Sequence, residues 1–174
     1  MKALDTEKVA EIIRSATEDV FATMLALPIE AGAAELEIAK NDSVDGIIAL
    51  VGLAGPWVGS GRVSCSSAFA CKISGALLAA EYDAVNEDVL DAMAEVTNMI
   101  IGNVKSALEE DLGPMGLSIP TVIFGRNYQA RSAGVKEWIA LPFRSGGERF
   151  DVKFFLMPCG HETGTREFSV ETAV

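Results

Sequence analysis

The chain has 174 residues, 49% of them hydrophobic and 22% charged, with a formal net charge of −11. That is enough apolar material to bury a sizeable core, and it argues against disorder over most of the length. The negative balance argues equally against a nucleic-acid surface, which needs clustered Lys and Arg, and against attraction to an anionic membrane. The first twenty residues scatter acidic side chains and hold no apolar stretch of the kind a secretory signal requires. The most apolar run, IIALVGLAGPWV at 47–58, is too short to span a bilayer and contains Gly and Pro. Three cysteines, Cys65, Cys71 and Cys159, form no Cys-x-x-Cys pair. They fit free thiols in a reducing cytoplasm.

The elements follow in chain order. Val9, Ile12, Ile13, Ala16, Val20, Met24 and Leu27 recur at helical spacing, so 5–27 reads as a helix ended by Pro28. AAELEIAK (33–40) alternates weakly as a strand, and DGIIALVGLAG (45–55) is a firmer one. The glycine-rich GPWVGSG reads as a hairpin turn, leading into RVSCSS as a third strand. A second helix is expected over 67–82, with Phe69, Ile73, Leu77 and Leu78 toward the core. The longest helix, 86–112, has Asn86 as N-cap, Glu87 and Asp88 in its first turn, and GPMG as its stop. LSIPTVIFG, VKEWIALPF and RFDVKFFLMP then read as three strands, the last two joined by RSGGE.

This order is a helix and three strands, twice, with one extra helix between. Ile48-Ala49-Leu50 recurs as Ile139-Ala140-Leu141. The expectation is an α+β two-layer domain over 1–158 with duplicated halves, about 5–83 and 84–158, and a polar tail over 159–174. Strands in runs of three point to a mostly antiparallel sheet with long helices on one face.

At 100° per residue, Val89, Leu90, Met93, Val96, Thr97, Ile100, Ile101, Val104, Ala107 and Leu108 form the buried stripe of the long helix. Asp91, Glu95, Asn98, Gly102 and Glu109 fall opposite. Glu95 and Asn98 are neighbours at i and i+3. Gly102, one turn beyond, removes a side chain that could block an approaching partner, and Met99 and Ala92 supply an apolar rim. A mid-helix glycine costs about 1 kcal/mol relative to alanine, so something other than helix stability asks for it. Polar residues on a solvent face need no function, and Glu-x-x-Asn alone is a weak pattern.

The wider stretch is more specific. AEVTNMIIGNVKSAL followed by GLSIPTVIFG resembles the signature of the CheC/CheX/FliY phosphatases of bacterial chemotaxis. That signature is Glu-x-x-Asn-x-x-x-Gly-Asn on a long helix, met here by Glu95, Asn98, Gly102 and Asn103, with Pro120 and Gly125 downstream. CheC-type members tend to carry the motif on both related helices, and CheX-type members on one. In the first helix Glu18 is followed three residues later by Phe21, so the departure favours CheX. The resemblance implies a cytoplasmic hydrolase acting on the aspartyl phosphate of a CheY-type receiver. Asn98 would orient water, Glu95 would meet the receiver's lysine, and Glu95, Met99 and Gly102 would form the docking surface. It implies no cofactor or metal in this chain, with Mg²⁺ on the receiver, and allows a homodimer through sheet edges. The rival is a non-catalytic module docking a receiver or a flagellar-switch component with the same helix.

Other signals are weaker. Cys159 and His161 are too few for a structural zinc site, and SCSS has no nucleophile elbow or suitable histidine. GPWVGSG lacks a Walker lysine. Asn103, at the edge of the stripe, reads as a support for backbone or sheet groups near the site, and Trp57 and Trp138 as core or interface aromatics.

Overall fold

A computed structural model describes residues 5–38, 42–130 and 137–160. Helix α1 (Thr6–Val20) opens on Asp5, whose carboxylate accepts from the Glu7 and Lys8 amides. A single π-helical turn, Phe21–Leu25, carries the chain to Ala26, which closes it in the left-handed conformation. Then come β1 (Glu30–Ala31), β2 (Glu35–Ile38), β3 (Asp42–Ala54), β4 (Trp57–Cys65), α2 (Ser67–Leu78) and α3 (Glu87–Leu112). Strands β5 (Gly116–Leu117), β6 (Thr121–Ala130), β7 (Glu137–Ser145) and β8 (Glu148–Pro158) complete the order.

Every recorded strand pair is antiparallel, in the order β1/β2–β7–β8–β4–β3–β5/β6. Exchanging β1–β4 for β5–β8 leaves the pairing pattern unchanged: β2·β7 becomes β6·β3, β1·β7 becomes β5·β3, and β4·β8 maps onto itself. A duplicated unit would produce this arrangement. The tripeptide likeness, however, is no structural correspondence. Ile139 and Leu141 join the core beneath the helices, as do Ile47, Val51 and Leu53. Strand alternation therefore turns Ile48 and Leu50 to the opposite face.

The core lies between one sheet face and the helices, around stacked rings: Phe150 stands 4.8 Å from Phe21, 5.4 Å from Phe69 and 5.0 Å from Phe143. On the far face, the Arg62 guanidinium lies 5.0 Å from the centre of Trp138, which meets Phe155 edge-on at 4.7 Å, and Lys153 pairs with Glu37. Trp138 is thus buried away from the helix layer, whereas Trp57 packs against the core.

Several expectations are corrected. Met24 is 50% exposed and Leu25 is buried in its vicinity, because the π turn adds a residue and rotates the following side chains off the α-helical stripe. Leu78 is 47% exposed, since α2 stops there and Ala79 turns left-handed. GPWVGSG is a strand apart from its first two residues, Gly55 and Pro56. Its glycines serve close packing: a Cβ on Gly61 would lie 2.2 Å from Ile101 Cδ1, and one on Gly59 would lie 2.1 Å from the Phe155 carbonyl oxygen. Of SCSS, Ser66 is the N-cap of α2, accepting from the Phe69 amide and donating to Glu148. Residues 161–174, with His161 and most of the expected tail, lie outside the described residues.

Candidate functional site

Helix α3 carries the candidate site, and its capping holds it in register. Asn86 Oδ1 accepts from the Val89 amide at 3.0 Å, with Glu87 and Asp88 in the first turn. At the other end Lys105 Nζ donates to Glu109 Oε1 at 2.8 Å, and the same carboxylate oxygen accepts from the Met115 amide at 2.7 Å. These bonds hold the Glu109 carboxyl below its usual range, the lysine contributing most. Gly113, at φ 84°, takes the chain out of the helix and back along it.

The buried stripe is Val89, Ala92, Met93, Val96, Thr97, Ile100, Ile101, Val104 and Leu108. Thr97 sits wholly inside and donates to the Met93 carbonyl at 2.8 Å. Ala92 is therefore in the interior and not on an apolar rim. Ala107 is exposed and leaves the expected stripe.

Glu95 is exposed and Asn98 is half-buried. Among the described residues, neither side chain makes a hydrogen bond or ion pair, so both keep their polar groups free for an incoming partner. Met99 is half-buried and packs on the core edge together with Leu117. Gly102 also faces Leu117: an added Cβ would lie 3.7 Å from Leu117 Cδ1, an ordinary contact. Nothing in the fold itself requires glycine at 102. Asn103 is exposed and lines a groove of about 280 Å³ with Ile12, Ser15, Asp19 and Ser106. Its expected bond to backbone or sheet groups is absent among the described residues, because the α3 surface at that position turns toward α1.

The first helix offers no second surface of this kind. Phe21, three residues after Glu18, is wholly buried in the aromatic stack. A larger cavity, about 530 Å³ between α1 and β2, is lined by Thr6, Arg14, Leu36 and Ile139 and includes none of these α3 residues. Among the described residues, no three His, Cys, Asp or Glu side chains converge as metal ligands, and no helix is long and apolar enough to cross a membrane. Cys65, Cys71 and Cys159 are free thiols, and burial pushes Cys65 up to about 12.

Two features of this surface escaped the sequence reading. Gly61 lets α3 settle onto the sheet, and a glycine inside a strand pattern was the available signal. Ser118 fastens the segment beside α3. Its amide donates to the Gly52 carbonyl and its hydroxyl accepts from the Gly52 amide, both at 2.9 Å.

Residues 47–144 match the model of the family described as Chemotaxis phosphatase CheX. The chain belongs to the CheX family. A CheX of Thermotoga maritima, described as a CheY-P phosphatase, is 32% identical over 90 residues. That match takes in 51% of this chain and only 58% of the Thermotoga protein's length. The crystal structure of a Desulfovibrio desulfuricans CheX is 30% identical with a TM-score of 0.76, over 86% of this chain and 99% of that one. A Borrelia burgdorferi CheX, solved as a complex with CheY, BeF₃ and Mg²⁺, is 25% identical with a TM-score of 0.74, over 88% of this chain and 99% of the other. The CheX fold matches the α+β arrangement described above, with an antiparallel sheet and helices on one face.

Proposed function

We propose that this CheX-family chain hydrolyses the aspartyl phosphate of a CheY-type receiver in the cytoplasm, with Asn98 orienting the water and Glu95 anchoring the receiver. The observation that carries this reading is the pair itself: Glu95 and Asn98 lie one turn apart on an outward helix face with no internal partner. The Borrelia CheX was captured with CheY, BeF₃ and Mg²⁺, which supports a receiver as the partner of this chain too.

The chemistry asks for position more than for new reactive groups. An acyl phosphate is already an activated mixed anhydride, and the receiver supplies Mg²⁺ and a lysine. Water attacks phosphorus in line, the P–O bond to the aspartyl carboxyl breaks, and aspartate and inorganic phosphate leave, the proton going to a phosphate oxygen. A carboxamide suits the water site because it can accept from and donate to a water without adding charge beside the phosphoryl oxygens. A carboxylate three residues earlier can pair with the receiver's lysine and fix the approach. Exposed Leu36 on β2, and Ile123 and Phe124 on β6, mark the two sheet edges at which a homodimer would form. Sedimentation equilibrium of the full chain giving a monomer mass at micromolar concentration would remove that part of the reading.

The test follows phosphate loss from an acetyl-phosphate-charged receiver in Mg²⁺ with substoichiometric protein. The wild type is expected to turn over many receivers. Asn98→Ala should lose on the order of 10²-fold in kcat, as for a positioned group acting on the transition state. Glu95→Ala should act chiefly on KM. If decay is no faster with the protein than without it, while the receiver still binds, the non-catalytic docking module is the correct account.

A further inference from the structure

Resting on the receiver-phosphatase reading above, we infer that Ile119 is an apolar docking anchor for the receiver, held beside Asn98 by the Ser118 clamp. Ile119 is 89% exposed, the most exposed of the large hydrophobic side chains described. An isolated exposed apolar residue needs no explanation in general. This one differs in where it stands and in how firmly it is held.

Its position follows from two rises. The chain leaves α3 at Gly113 and returns along it, bringing Leu117 beside Gly102. A strand advances about 3.3 Å per residue and a helix about 1.5 Å, so two residues of extended chain match about four of helix. Ile119 therefore comes level with Asn98, four residues before Gly102. Pro120 keeps Ile119 extended, because the proline ring disfavours the helical conformation in the preceding residue. Leu117 stands opposite Leu53 and Thr121 opposite Leu50, so one extra residue is accommodated between them, an irregularity of the kind that re-aims a side chain, and Ile119 is left exposed there.

Three hydrogen bonds make the segment stiff. Ser118 is tied twice to Gly52 of strand β3, and its hydroxyl donates to the Ile119 carbonyl at 3.0 Å. A Cβ built on Gly52 would lie 3.4 Å from Ser118 Oγ, an ordinary contact, so the clamp does not depend on glycine there. A rigidly presented isoleucine loses little freedom on binding, which is the condition for an effective contact. Met99 and Leu117, both half-buried, add apolar surface next to Gly102. The partner this patch fits is a receiver surface with an apolar depression adjoining its phosphorylation site, reached when Glu95 and Asn98 enter that site.

The test compares wild type with Ile119→Ser and Ser118→Ala on the full chain. It uses steady-state dephosphorylation, direct binding to a receiver loaded with beryllofluoride and Mg²⁺, and sedimentation mass. Thermal unfolding serves as a control, since a residue this exposed should leave Tm unchanged. The expected result is a rise of about 10-fold in both KM and Kd for Ile119→Ser with kcat held, the size of one good apolar contact. Ser118→Ala should give a smaller rise in the same direction. Unchanged KM and Kd in Ile119→Ser, while Asn98→Ala still abolishes turnover, overturns the anchor and leaves the phosphatase standing. Weakened binding by Ile119→Ser, beside a wild type that binds but does not hydrolyse, would support the anchor and sink the catalytic reading. Loss of a dimer in Ile119→Ser without change in Kd assigns the residue to a second copy and overturns the proposal, as does a wild type that neither binds nor hydrolyses.

Discussion

At the scale of single residues, Gly102 separates what the fold needs from what a partner needs. Its missing Cβ faces only Leu117, at contact distance, whereas at Gly61 a Cβ would collide with Ile101. Alanine at 102 should therefore stabilise the helix by about 0.5–1 kcal/mol, through the ordinary propensity difference. On the docking reading it should also slow receiver dephosphorylation by about 10-fold or more, because a small misplacement at an in-line geometry is costly. Chemical denaturation and steady-state kinetics on Gly102→Ala check the two halves of this prediction. A variant that is both more stable and fully active would show that the glycine serves neither fold nor partner. Glu95 and Asn98 were legible as a pair from spacing alone. The role assigned to Asn103 was not, because helical phase placed it at the edge of the stripe and could not say that α1 lies alongside.

At the scale of elements, α3 and its return strand behave as one device. The reversal at Gly113 is held by Glu109, which bonds Lys105 on its own helix and the Met115 amide beyond the turn. With the folded-state value depressed, the contribution of Glu109 is fully present above the unfolded carboxylate value and is lost as pH falls through the folded one. Glu109→Gln should thus lower Tm near neutrality, and the gap to wild type should begin to shrink near pH ~4, where the unfolded carboxyl takes up its proton, and close only once the folded one is protonated as well. Melting curves across the acid range measure this directly, and a gap independent of pH would show that the ion pair contributes nothing. The π turn after α1 is the opposite case. FATML carries no pattern that departs from an α-helix, and the extra residue appears only when Phe21 and Leu25 are both drawn into the core around Phe150.

For the whole molecule, the halves are interlocked and not merely adjacent. Strand β7 lies between β2 and β8, and β3 lies between β4 and β6, so each half supplies an edge strand to the other. A chain limited to residues 84–158 would leave β6 without β3, β7 without β1 and β2, and β8 without β4. It should fail to fold alone, and mixing it with 5–83 should restore secondary structure in circular dichroism, given the long β4·β8 and β3·β6 registers. Cooperative melting of 84–158 by itself would contradict this account of the architecture.

Spacing, capping and composition determined the helices, nearly all the strands, the antiparallel class and the Glu95–Asn98 surface, because these depend on neighbours within a few residues in the chain. The exchange of edge strands between halves, the strand glycines under Ile101 and Phe155, and the opposite facing of the two Ile-Ala-Leu segments were decided by tertiary structure. So was the clamp that ties Ser118 to Gly52. Each of these turns on which distant backbone comes to lie alongside, and alternation or helical phase fixes a side chain's direction only after that neighbour is known.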